Sequence, residues 1–231
     1  MVRAANGLAE AERLWRNMLS SQPLAFSIVG ELRAHERAAL AVLGRLTGLE
    51  LTAFDRLGAP GDPWALDGLQ AEWAPPRDAH TGDKSGFDMA AVARTAAGER
   101  VLVTVEVKYV DTFSPAKLDP ARYRLDGLTE SDVAELVDLG ASQFLRSVLL
   151  TESVRQHGLR DNGGLDKAVA LVLCRADDAQ ARKVVDAVAT ACPNADLAVA
   201  LRTHDELFDA ADAQPDLREW ARAMRRRYLT P

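Results

Sequence analysis

The chain has 231 residues, 48% of them hydrophobic, and its 28 Lys and Arg against 34 Asp and Glu give a net charge of -6. That length and apolar content suit one large domain with a substantial core. The acidic balance argues against coating nucleic acid by bulk charge, but leaves room for a local basic groove. Cys174 and Cys192 lie outside any CxxC or His-rich spacing and read as free thiols of a reducing compartment. No apolar run reaches the length of a membrane span and the N-terminus lacks an apolar signal core, so a cytoplasmic location is expected.

Residues 1–22 read as an N-terminal helical appendage, with Leu8, Leu14, Trp15, Met18 and Leu19 at helical spacing and Ser20, Ser21 and Pro23 closing it. Residues 23–231 form the main domain. Its first helix is "VGELRAHERAALAVLGRLTG", with a stripe of Leu32, Ala39, Leu40, Leu43 and Leu46 and a stop at Gly48. "LELTAFDRL" reads as a strand. Residues 58–83, rich in Gly, Pro, Asp and Trp, read as a long loop with a short helix around Trp64 to Leu69.

"GFDMAAVAR" and "RVLVTVEVKYV" flank the turn "TAAGE" as a β-hairpin. A helix follows over residues 129–158, capped by Thr129 and broken near Gly140. "KAVALVLCR", "DAQARKVVDAVATAC" and "ADLAVALRT" form a β-α-β unit whose apolar strands should run parallel in a buried sheet. Two short helices end the chain. The order of helix, three-strand meander, helix, strand, helix, strand predicts an α/β fold, a mixed sheet with helices on both faces.

Within the hairpin, Glu106 and Lys108 face the same way, because side chains alternate along a strand. Centring the turn near Ala97 and Gly98 places Asp88 against Val107, so two carboxylates and an ammonium converge at one end of the sheet. Such a trio suits Mg2+, a hard cation that takes one or two protein carboxylates plus waters and phosphate oxygens. The lysine would orient or deprotonate an attacking water, or neutralise charge developing on a phosphate.

At these residues the chain resembles the PD-(D/E)XK nuclease superfamily, the restriction-endonuclease-like fold, over residues 24–175. Asp88 and Glu106-Val107-Lys108 carry the resemblance, 18 residues apart on successive strands, with Phe87 where the family has proline. It implies a metal-dependent nuclease with Asp88 and Glu106 as ligands of Mg2+ (Mn2+ substituting), the Val107 main-chain carbonyl as a further ligand and Lys108 as the catalytic lysine. It also points to Glu31 as an additional acidic ligand and to Gln143 and Arg146, three apart on one helix face, as contacts to the site or to nucleic acid. Arg77 and Lys84, in the loop before Asp88, are further candidates for phosphate contact. DNA is the favoured substrate, and cutting both strands of a duplex would call for a homodimer. The alternative is a nuclease fold retained as a nucleic-acid-binding or assembly module with little catalysis.

Other features carry less. The four histidines lack metal-ligand spacing and are expected at the surface or in loops. Trp64 and Trp73 fit packing of the long loop better than base stacking. The cluster Arg222, Arg225, Arg226 and Arg227 fits either a phosphate-binding patch or a solvated helix. No GxxxxGK[ST] loop and no nucleophilic Ser or Cys arrangement is visible.

Overall fold

Ser20 opens the fold described by the computed structural model, which covers residues 20–82, 85–114, 118, 128–160 and 163–229. Its hydroxyl accepts the Gln22 N–H at 3.3 Å and starts helix α1 (Ser21–Ala34). Ser20 therefore begins a helix rather than ending one. The appendage expected upstream lies, up to residue 19, outside the described residues. The apolar stripe expected as one helix is split at His35 into α1 and α2 (Glu36–Thr47), and Gly48, at φ 76°, caps α2 in the left-handed conformation.

Strands β1 (Leu51–Phe54), β2 (Arg56–Leu57), β3 (Leu66–Asp67), β4 (Leu69–Trp73), β5 (Phe87–Thr95) and β6 (Arg100–Val107) follow. Then come α3 (Glu130–Asp138), α4 (Ser142–His157), β7 (Lys167–Cys174), α5 (Ala179–Ala191), β8 (Leu197–Thr203), α6 (His204–Asp212) and α7 (Arg218–Tyr228). The main sheet has the order β1-β5-β6-β7-β8, with β4 also paired to β5. β1, β4 and β6 are antiparallel to β5, while β6, β7 and β8 run parallel. The mixed α/β architecture and the parallel β-α-β unit match expectation.

The stretch read as a long loop is a correction. It contains β3 and β4, and the helix expected near Trp64 is not there. β4 forms because Leu69, Gln70, Ala71 and Trp73 pair with Ala91, Ala90, Met89 and Phe87, so tertiary pairing overrides weak local propensity. Trp73 is buried, stacks on Phe87 with ring centroids 5.8 Å apart, and donates its indole N–H to the Trp64 carbonyl. Packing is the work of these tryptophans.

Two apolar layers sandwich the sheet. Val101, Val103, Val105 and Val107 of β6 pack toward α1, α2, α6 and α7, while Leu102 packs toward α4 and α5. Each such side chain contributes about 1.5–3 kcal/mol when fully buried. Along the α4 side, Leu102 gives way to Thr104, bonded to Thr151 at 2.7 Å, and then to Glu106. The face that begins as hydrocarbon ends as polar chemistry. Among the described residues, no helix is long and apolar enough to cross a membrane.

Candidate active site

Register brings the acids together. Met89 pairs with Val105, so the next step along the two strands sets Asp88 opposite Glu106. The expectation of Val107 is off by one residue, because the last hairpin pair is Arg94 with Arg100 and the turn therefore centres on Ala97. The side chain nonetheless reaches Val107, since Asp88 Oδ2 accepts the Val107 N–H at 2.8 Å. The Lys108 N–H donates to the Leu173 carbonyl on β7 at 2.8 Å. Alternation along β6 then turns both peptide groups of Val107 toward β5 and Asp88.

Lys108 and Glu106 are 4% and 8% exposed, and Lys108 Nζ lies 2.9 Å from Glu106 Oε1. Gln143, from the second residue of α4, holds the pair. Its Nε2 donates to Glu106 Oε1 at 2.6 Å, and its Oε1 accepts from Lys108 Nζ at 3.2 Å and from the Ser114 N–H at 2.8 Å. The Phe113 ring covers the ammonium at 5.0 Å. Burial alone would lower the Lys108 pKa. The carboxylates of Glu106, Asp88 and Asp111 outweigh it and raise the value, so the group stays an ammonium at neutral pH.

Asp88 keeps some solvent contact at its edge, yet protein surrounds it densely. Burial first, then the charges of Glu106 and Glu72, push its pKa well above the ordinary carboxylate range, against the pull of the Val107 N–H and Lys108. Glu72 is the residue sequence reasoning missed. The β4–β5 register sets it opposite Asp88, making a row of Glu72, Asp88 and Glu106 across three strands. Glu72 is 7% exposed, and Gln22 Nε2 donates to its Oε1 at 2.9 Å. It is also the one non-glycine residue with positive φ, 52°, among those described. Next to Gln22, Ser21 Oγ donates to Asp111 Oδ2 at 2.9 Å, so the first turn of α1 clamps both Glu72 and the segment that follows Lys108.

Glu31 and Arg146 have partners outside this cluster. Glu31 lies nine residues beyond Gln22, about 13 Å along the axis at 1.5 Å per residue, with its carboxylate 3.7 Å from His35 Nε2. Arg146 donates to Ser85 Oγ at 2.6 Å, bracing the entry to β5. Arg77 is exposed in a single 3-10 turn, and Lys84 lies outside the described residues. In the C-terminal arginine cluster, Arg225 pairs with Asp209 and Arg222 with Asp212, so α6 neutralises much of its charge. His204, expected at the surface, is fully buried against Tyr109 and Phe208. Burial pushes the Cys174 thiol up to about 12 and the Cys192 thiol up to about 11, which leaves neither as a thiolate nucleophile.

The donor set is all oxygen and carries an excess of negative charge over the single ammonium, which fits a hard divalent cation. Among the described residues, no three His, Cys, Asp or Glu side chains converge closely enough to hold an ion by themselves. A cation would therefore draw its remaining ligands from main chain, water or substrate, as Mg2+ commonly does.

A family profile described as the PD-(D/E)XK nuclease superfamily matches residues 1–230. No curated protein and no solved structure matches the chain. With the fold, the strand register and this match in agreement, the chain belongs to the PD-(D/E)XK nuclease superfamily.

Proposed function

We propose that the protein is a Mg2+-dependent nuclease that hydrolyses phosphodiester bonds in nucleic acid, with DNA as the favoured substrate and Mn2+ as a substitute cofactor. The observation that carries this reading is the opposition of Asp88 and Glu106 on adjacent strands, with Lys108 Nζ 2.9 Å from Glu106. Asp88, Glu106 and the Val107 carbonyl would hold the cation, which when bound supplies Lewis-acid activation of water and of the scissile phosphate.

The protein's own groups do the rest. The Val107 N–H holds one oxygen of Asp88, Oδ2, and so restrains its carboxylate beside Glu106. Lys108, kept as an ammonium by its carboxylate neighbours, is better suited to hold the attacking water and neutralise charge on the phosphoryl oxygens than to remove a proton. Gln143 acts through others, fixing the distance between Glu106 and Lys108 and tying the segment at Ser114 to α4. Its bonds to Glu106 and Lys108 favour contact to the site, one of the two roles expected from sequence, and describe a positioning residue. Arg146 and Arg77 remain candidates for phosphate contact along the approach to β5.

A panel of linear, circular and single-stranded DNA and of RNA, incubated with Mg2+ or Mn2+ and with EDTA, tests the reading. Metal-dependent cleavage of at least one form is expected. Absence of both cleavage and metal binding would favour the non-catalytic module instead.

A further inference from the structure

Glu72 breaks two local rules. It is a non-glycine residue in the left-handed conformation, and it buries a carboxylate beside another carboxylate. One consequence is structural. Ala71 packs with the α1 side of the sheet and Trp73 with the α4 side, although strand alternation would put both on one face. The backbone turns at Glu72, at this crossing, and on β5 Met89 and Phe87 divide between the same two sides, with Phe87 stacked on Trp73. Glycine would perform that turn with less strain, so the backbone gives no reason for a glutamate.

The carboxylate has its own setting. Gln22 Nε2 holds Oε1 at 2.9 Å from the first turn of α1, where the helix dipole favours negative charge. Register points Glu72 at the same strand level as Asp88 and Glu106, yet the three side chains do not converge to direct ligand distances. A hydrated divalent cation bridges such a gap, because Mg2+ gives up its waters reluctantly and those waters donate to carboxylates in the next layer.

We propose that Glu72, oriented by Gln22, is a working carboxylate of this site that holds the divalent cation through its bound water. This rests on the metal-dependent reading above and adds a positioning residue to it.

Calorimetric titration of Mn2+ into the wild-type protein and into Glu72→Gln, Glu72→Gly and Asp88→Asn, with thermal midpoints measured in EDTA, separates the two claims. Glu72→Gln is expected to weaken Mn2+ binding about 10–100-fold with a midpoint within about 3 °C of wild type. Glu72→Gly suits the backbone conformation, so it should lose the same affinity without a lower midpoint, and it serves if the glutamine variant does not fold. Wild-type affinity in both Glu72 variants, with binding abolished in Asp88→Asn, would overturn the role of Glu72 alone. A wild-type protein that binds no Mn2+ would overturn the metal-dependent reading with it.

Discussion

Asp88 and Glu106 stand opposite one another on β5 and β6, one step past the Met89–Val105 pair. Two carboxylates at adjacent strand positions repel, and the sheet tolerates them because Lys108 and the Val107 N–H share the site.

Removing one of those charges should stabilise the protein without metal. The folded-state pKa of Asp88 lies above its ordinary value, so folding favours its protonated form. No penalty arises below the ordinary carboxylate range, and the penalty is full once pH exceeds the raised value. Asp88→Asn, which can still accept the Val107 N–H, should therefore raise unfolding stability in EDTA at neutral pH by about 1–3 kcal/mol and show little gain at low pH. Urea denaturation at several pH values measures this.

The Lys108–Glu106 pair should show strong coupling. Lys108→Met leaves a carboxylate buried without its ammonium and should cost about 3 kcal/mol, while adding Glu106→Gln should restore most of it. A double-mutant cycle on unfolding free energy gives the coupling directly.

Gln143→Leu should preserve the Lys108–Glu106 contact yet loosen its geometry. Cleavage is expected to fall about 10–100-fold, as for other residues that orient a site through its ligands, with a stability loss near 1 kcal/mol. Single-turnover kinetics beside denaturation separates the two effects.

His204 should give the acid limb of stability. Among the described residues neither ring nitrogen has a hydrogen-bond partner of good geometry, and burial lowers its pKa to about 4, outweighing the raising influence of the nearby Leu173 and Lys108 backbone. Its contribution is intact above about pH 6.5 and is lost as pH falls through 4, a total of about 3 kcal/mol. His204→Phe should flatten stability over that window, as read from thermal midpoints across pH.

Strand alternation and a short hairpin made Asp88, Glu106 and Lys108 legible in the sequence, even with the register misplaced by one residue. Glu72 was not legible. It sits in a stretch rich in Gly, Pro and Trp whose strand exists only because β5 offers a partner, and nothing in a lone glutamate announces a left-handed backbone. The position of Glu31 depends on where α1 begins. With Ser20 as cap, α1 begins at Ser21, which brings Gln22 to the site and carries Glu31 far along the helix. Gln143 could be assigned to the correct helix face, but its three inward hydrogen bonds depend on how α4 packs over β6.

The most direct measurement is phosphodiester cleavage by wild-type protein and Lys108→Ala, purified in parallel, with Mg2+ and with EDTA. The account predicts cleavage by the wild type with Mg2+, its abolition by EDTA, and a loss of at least about 100-fold in Lys108→Ala. Equal cleavage by both proteins, or cleavage that persists in EDTA, would contradict it.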